Sequence, residues 1–424
     1  MGSPHTLSPR ARHRFFPPRA DASGMSTQEQ KLAYLTAAGR FDICSPGECL
    51  QLLPVTVETR RTSQASKILP VPLDTLRASQ EALGDLEDPD GRTVLAPYIS
   101  YNRRTGGCGR MLKMLLNGTC SYDCAYCPVR TRREPVSFSP EEFADTFLRL
   151  WRDGLVEGLF LSSGIPRDVD CVMHDIVETG EILRRRGYDG YLHLKILPGA
   201  TRADIHDAAR VADRISINLE TTSSDRLGGI AGVKDYCQDI LKRQSWVAEE
   251  KPGGHTTQIV IGAADETDAE ILSCIADQYR RVRPSRVYFS AFHSLPGTPL
   301  ASHPDTPAWR ARRWYQADYL LRDYGVAAEE LRAALDEDGF FGDRDPKVVL
   351  AAGNAPVNVN LAPRRDLLRV PGIGPRGADR ILNLRRVRPF SGPADLARAG
   401  IRGKAAARHL TFGDRETIQT KLFA

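Results

Sequence analysis

MLKMLLNGTCSYDCAYCPVR, residues 111–130, joins a short apolar run to a loop carrying three of the chain's nine cysteines, Cys120, Cys124 and Cys127. The run reads as a strand that delivers a loop, since it is brief and breaks at small and polar residues. Five similar runs follow: GLFLSS (158–163), YLHLKIL (191–197), RISINLE (214–220), TQIVIGA (257–263) and RVYFSAF (286–292). Amphipathic stretches separate them. In SPEEFADTFLRLWRDG (139–154), Ser139 is placed to cap a helix that has Pro140 at its first position. Six repeats of strand then helix predict an α/β chain with a parallel sheet and right-handed crossovers, either an open partial barrel or a doubly wound sheet.

In both architectures chemistry collects at the carboxyl ends of the strands. The runs here end in NGTCSYDC, SSGIPR, PGATR and ETTSS, so the function is expected at those turns. The C-x3-C-x2-C spacing lets three thiolates converge on one inorganic centre. Only three are local, so the site either takes a distant fourth ligand or leaves one metal open. Structural zinc with Cys108 as fourth ligand is the plain alternative. A second cluster on Cys44, Cys49 and Cys108 is a further option, although scattered cysteines usually behave as small buried hydrophobes.

Composition bounds the rest. The odd cysteine count in a long chain without a secretory apolar segment argues against a disulfide framework and for a reducing cytoplasm. No apolar run approaches the roughly 18 residues that span a bilayer, so no membrane association is expected. Residues 1–24, with four arginines, four prolines and a single acid, read as a transit peptide, an interaction arm or, the preferred reading, a disordered extension (residues 1–25) ahead of an internal start at Met25. Residues 26–105 are expected to form an N-terminal extension packing on the barrel, 106–325 the core, 326–353 a helical linker, and 354–424 a small all-α C-terminal domain.

Charge separates that last segment from the body. Residues 354–424 hold 14 Lys and Arg against 5 Asp and Glu, a surplus of 9 where the whole chain has +5, which leaves −4 for the remainder. Such a basic tail points to a polyanion partner. Its segment LLRVPGIGPRGADRILNLRR (367–386) resembles the helix-hairpin-helix module of nucleic-acid enzymes. Gly372 and Gly374, flanking Ile373, permit turn conformations closed to other residues and leave backbone amides at a helix N-terminus for a phosphate oxygen. Arg376, Arg402 and Lys404 are placed to reach phosphates. FSGPADLARAGIRGKAAARHL (390–410) fits a second, degenerate hairpin. Backbone contacts of this kind grip without reading base identity. A packing hairpin or a protein contact is the alternative.

CSYDCAYC (120–127) matches the C-x3-C-x-aromatic-C signature of the radical S-adenosylmethionine superfamily, on the loop after strand one where that superfamily carries it. The resemblance implies a partial (β/α)6 TIM-type barrel whose three cysteines hold a 4Fe-4S cluster. The fourth iron then takes the amino and carboxylate groups of S-adenosylmethionine, with Tyr126 on the adenine side. It further implies a methionine-binding turn at Ser162, Ser163 and Gly164, in place of the common Gly-Gly-Glu. Asn218 and Glu220 resemble the polar pair that contacts ribose or methionine, and Gly262 lets the backbone approach adenine.

Lys195 is the leading further candidate, as a cation for a carboxylate or phosphate; we assign catalytic roles to Lys195 and Glu220. His193 and His293 rank second. Arg130, Arg132 and Arg133 follow the loop and either neutralise charge or form a solvated run. GLFLSSGI, HLKILPGA, RVYFSAF and YQADYLL extend the resemblance to a bacterial group of DNA modification or repair radical S-adenosylmethionine proteins with a C-terminal helix-hairpin-helix. That implies a cytoplasmic enzyme acting on DNA, with RNA second, supplied by a low-potential electron donor such as flavodoxin or ferredoxin. A radical enzyme on a protein or small molecule, and a non-catalytic iron–sulfur DNA-binding protein, are the competing readings.

Overall fold

Burial on both faces makes the parallel strands. In the computed structural model, which describes residues 28, 31–32, 35–36, 99–104, 107–131, 136–401 and 403–413, every residue of β3 (Gly158–Ser162) and β6 (His255–Ile261) is buried. That is the signature of a sheet covered on its two sides. With β2 (Gly107–Leu115), β4 (Tyr191–Lys195), β5 (Arg214–Ser216) and β7 (Arg286–Ala291) they form six parallel strands in sequence order, a curled half-barrel. An edge strand the sequence reading missed, β1 (Ile99–Arg104), pairs antiparallel with β2. Its ISYNRR carries too little apolar signal to announce a strand.

Helices α1 (Pro140–Arg152), α2 (Val169–Arg185), α3 (Arg202–Val211), α4 (Ser224–Ile230), α5 (Arg243–Glu250), α6 (Asp268–Arg281) and α7 (Ala308–Arg322) lie between and after the strands. Their starts are chemically marked. Ser139 accepts from Glu142 N, while Thr201 with Asp204 and Thr267 with Glu270 form capping boxes. A π-helical segment, Tyr236–Lys242, leads into α5.

Two apolar cores result, one under β2 to β5 and one under β6 and β7, and Tyr122 and Cys127 of the cysteine loop pack against both. The loop therefore sits on the seam of the half-barrel.

Strand β5 is shorter than the apolar run 214–220 suggests. Glu220 has φ 67°, and the amides of Leu219 and Glu220 both donate to the Gln258 carbonyl, at 3.0 and 3.1 Å. That doubled contact ends the regular ladder, leaving one bridge between Glu220 and Ile259.

The β6–β7 half is locked by Asp268, which is fully buried. It accepts from Arg310 Nε at 2.9 Å, Trp314 Nε1 at 2.6 Å and Phe341 N at 2.9 Å. Asp268→Ala strands a buried guanidinium and two donors, so urea unfolding should report a loss of about 3–5 kcal/mol.

Residues beyond α7 include α8 (Ala328–Leu331) and α9 (Pro346–Ala352), then a region with its own core around Leu367, Ile373, Ile381, Leu396 and Ile401. It holds α10 (Arg364–Arg369), α11 (Pro375–Leu384), α12 (Pro393–Arg398) and α13 (Gly403–Ala406). It is not purely helical, because β8 (Val357–Asn358) and β9 (Leu410–Thr411) pair in parallel and clasp its two ends.

Residues 1–25, most of 26–105 with Cys44 and Cys49, Arg132, Arg133, Arg402 and the side chains of Cys108 and Lys404 lie outside the described residues. Among the described residues no helix is long and apolar enough to cross a membrane.

Candidate functional site

The cysteine loop is fastened by backbone groups of its neighbours. Leu116 N donates to Ser162 O at 2.8 Å, Gly164 N to Asn117 O at 2.9 Å, and Ser121 N to Ile165 O at 2.7 Å. Ser163 Oγ accepts from Asn117 N at 3.1 Å and Nδ2 at 2.9 Å, and donates to Gly164 O at 2.7 Å. Ser162, Ser163 and Gly164 thus form the turn on which the loop is seated, with the Ser163 hydroxyl engaged by the loop.

On the other side, Ala125 N donates to Ile230 O at 2.7 Å, Val233 N to Asp123 Oδ1 at 3.2 Å, and Tyr122 OH to Pro198 O at 3.0 Å. Arg130 donates to the Asp123 carbonyl.

Cys120, Cys124 and Cys127 are free thiols; Cys124 is buried and the other two partly so. Burial pushes the Cys120 thiol up, and the neighbouring Cys124 adds to that. A mononuclear ion with bonds of about 2.3 Å needs its sulfurs close around one point. Among the described residues no group of three or more His, Cys, Asp and Glu is placed to hold a metal ion in that way. Cysteines that each bind a separate iron have no such common point. As a donor set, three free thiols on one pinned strand-end loop, Cys120 and Cys124 near enough to feel each other's charge, fit a cluster.

Beside them lies a group absent from the sequence reading. Lys234, in the turn between α4 and the π-helical segment, donates to Glu220 Oε1 at 3.0 Å, with the two side chains 5% and 7% exposed. It also lies beside Cys124, because the turn that carries it is bonded to Asp123 and Ala125 on either side of that cysteine. Burial opposes the ammonium charge, but Cys124 and Glu220 outweigh it and hold the Lys234 pKa above its usual value. Burial likewise opposes the Glu220 carboxylate, yet Lys234 and Lys195, with the hydrogen bond from Lys234, keep its pKa low. Asn218 Nδ2 lies 3.4 Å from Glu220 Oε2. Burial, then the charges of Glu220, Cys124 and Cys127, raise the Tyr126 pKa well above its usual value. The structure thus brings Tyr126, Asn218 and Glu220 together with the cysteines. Lone Lys234 in AGVKDY carries no pattern by which it could have been found.

Lys195 and His193 occupy alternate positions of β4, on the sheet face opposite Leu192 and Leu194. His193 Nε2 lies 2.8 Å from Ser216 Oγ. Burial, reinforced by Arg214, Lys113 and Lys195, drives its pKa well down, so it is neutral at physiological pH. His293 is exposed, its Nδ1 3.7 Å from Asp305 Oδ2. Gly262 has φ 84°, and a Cβ there would meet Thr306 Oγ1 at 2.1 Å; His303 Nε2 lies 2.9 Å from its carbonyl. Its lack of a side chain is thus used first by Thr306.

In the C-terminal region the turns after α10 and α12 repeat one another. Gly372 and Gly400 have φ 83° and 66°, and Ile373 and Ile401 are buried. Ideal Cβ contacts of 3.6 Å to Ile373 and 4.0 Å to Ile401 from Gly377 place both isoleucines over that glycine. Arg380 Nη1 donates to Ala399 O at 2.6 Å, and Lys347 Nζ to Ile373 O at 2.6 Å. Burial pushes the Lys347 ammonium down to about 8. Gly374 is the cap position of α11, and Arg376 is exposed without an ion pair among the described residues.

Residues 114–275, from β2 into α6, match the Radical SAM superfamily. Mitochondrial lipoyl synthase of Meyerozyma guilliermondii is 26% identical over 185 residues, 42% of this chain and 46% of that protein. That of Candida tropicalis is 27% identical over 170 residues, 39% and 44% of the two chains. The chain spans less than half the length of these curated relatives. The FeFe-hydrogenase maturase HydG from Carboxydothermus hydrogenoformans has a TM-score of 0.40 at 13% identity, over 49% of this chain and 50% of that one.

Proposed function

We propose that this chain, which carries a Radical SAM superfamily domain over residues 114–275, is an enzyme that cleaves S-adenosylmethionine reductively and acts on DNA. When bound, a 4Fe-4S cluster and S-adenosylmethionine supply one-electron cleavage of the sulfonium carbon–sulfur bond, giving methionine and a 5′-deoxyadenosyl radical that abstracts a hydrogen atom.

The chain's own part is to hold and orient. Cys120, Cys124 and Cys127 are the cluster ligands. Tyr126, the turn Ser162, Ser163 and Gly164, Asn218, Glu220 and Gly262 line the S-adenosylmethionine site, and Lys195 faces the carboxylate or a substrate phosphate. The seam position of the loop sets these groups against the two apolar cores, with Cys124, Ser162, Ser163, Asn218 and Glu220 buried. A low-potential donor such as flavodoxin or ferredoxin supplies the electron.

The observation that supports the DNA substrate is one chain combining this loop with a separate basic region built on two like turns. In this reading Gly372, Ile373 and Gly374, with Arg376, Arg402 and Lys404, form the phosphate grip. A base inside a duplex must be extruded to meet the radical.

Anaerobically reconstituted protein should yield 5′-deoxyadenosine, with turnover raised by DNA; no product with or without DNA defeats the enzymatic claim. Binding of duplex DNA should weaken about 10-fold or more between 50 and 200 mM salt, as expected for several phosphate contacts. Salt-independent binding would remove the phosphate grip. A second reading, a radical enzyme on a protein or small-molecule substrate, draws on the lipoyl synthase relatives. There the C-terminal region docks a protein, and Gly372→Val with Gly374→Val leaves DNA affinity unchanged.

A further inference from the structure

We infer that Lys234 is the positioning cation of the cluster's Cys124 ligand, and that its pairing with Glu220 sets the reduction potential of the centre. The inference rests on the reading of Cys120, Cys124 and Cys127 as cluster ligands.

The geometry is a buried ion pair set against the cysteine loop. Glu220 holds Lys234 at 3.0 Å, and the turn of Lys234 flanks Cys124, with Val233 N on Asp123 Oδ1 at 3.2 Å and Ala125 N on Ile230 O at 2.7 Å; the charge of Cys124 is felt at Lys234, and that of Glu220 at Tyr126. Each end is anchored independently. Glu220 is fixed by its amide on Gln258 O and by Val260 N on its own carbonyl at 2.8 Å. Lys234 N donates to Ala231 O at 3.1 Å, in the same turn whose Ile230 carbonyl and Val233 amide hold Ala125 and Asp123. The cation is therefore brought beside Cys124 by the element that also fastens the loop.

An ammonium buried with a carboxylate is costly unless both are fully engaged, and leaving either alone is worse. A pair kept at this position meets that condition through the 3.0 Å contact and sets the ammonium beside Cys124. Net charge and hydrogen bonds at the sulfurs are the protein's levers on cluster potential. A positive charge at a ligating sulfur stabilises the reduced, more negative state, and the low local dielectric strengthens the effect. The carboxylate partly offsets it.

The two partners therefore make predictions of opposite sign. In the full chain, reconstituted anaerobically and titrated spectroelectrochemically without S-adenosylmethionine, Lys234→Met should shift the midpoint potential to more negative values. Glu220→Gln should shift it to more positive values, because the ammonium then lacks its offset. Lys234→Arg should restore most of the Lys234→Met shift. A purely structural pair would instead lower iron content in both variants without opposite potential shifts. Unchanged potentials, or shifts of one sign, overturn the inference. If Lys234→Met binds no iron, Glu220→Gln and Lys234→Arg still carry the test: the first must move positive and the second stay near the parent. A parent chain that binds no iron removes the cysteine reading itself, and the inference with it.

Discussion

Cys124→Ala should leave a folded chain that retains little of its iron after anaerobic reconstitution and loses 5′-deoxyadenosine formation by more than about 100-fold. Partners standing behind a metal ligand already cost 10- to 100-fold when removed, and Cys124 is itself a proposed ligand. It is the buried member of the triplet and the one flanked by the turn of Lys234. Its loss opens the ligand set and leaves the Lys234 ammonium with Glu220 alone. The backbone seating of the loop survives, because it runs through Leu116, Ser121 and Ala125 rather than through any cysteine side chain. Circular dichroism should therefore be unchanged while iron and sulfide analysis fall. Cys171→Ala, exposed on α2, is the matched control and should bind iron normally. Full iron content in Cys124→Ala would remove the cysteine triplet as the origin of the chemistry.

The same contrast explains what could be read from residues alone. The parallel strands were legible because stretches such as GLFLS and the IVI of β6 are buried at every position, and burial on both faces writes itself into sequence as a run of apolar or β-branched residues. The cysteine loop was legible because its spacing is chemically unusual. Lys234 was not, since its role comes from a turn that folds back over the loop from 110 residues away, where Val233 N meets Asp123. Strand β5 was overestimated because the φ of 67° at Glu220 leaves no trace in RISINLE. The turn at 162–164 was located from its small residues, but only the folded chain reveals that Asn117 takes up the Ser163 hydroxyl. The paired turns at Gly372 and Gly400 were partly visible, as GIG and GIR; their meeting over Gly377 depends on tertiary contact.

Gly164→Ala should rank with removal of a cysteine in its effect on iron binding, although it adds a single methyl group. A Cβ at Gly164 falls 2.2 Å from Thr119 O and 3.0 Å from Asn117 O. Both are backbone atoms one to three residues before Cys120, so no rotamer change relieves the clash. Either the turn or the cysteine loop must move, and overpacking of this kind costs about 1–3 kcal/mol. Movement of the loop breaks the Gly164 N to Asn117 O bond and strains the Ser121 N to Ile165 O bond, the two contacts that bracket Cys120. The thiol is then displaced from its partners while Cys124 and Cys127, tethered through Ala125 to Ile230, stay in place. Expected results are a several-fold lower iron content and a lower unfolding midpoint. Gly228→Ala in α4, where nothing lies within 4 Å of the added carbon, should bind iron normally. It should also gain about 0.4–1 kcal/mol from the lower entropy of the unfolded chain. Normal iron content in Gly164→Ala would mean that the loop tolerates displacement at Cys120, and that the fastening to β3 does not position the ligand.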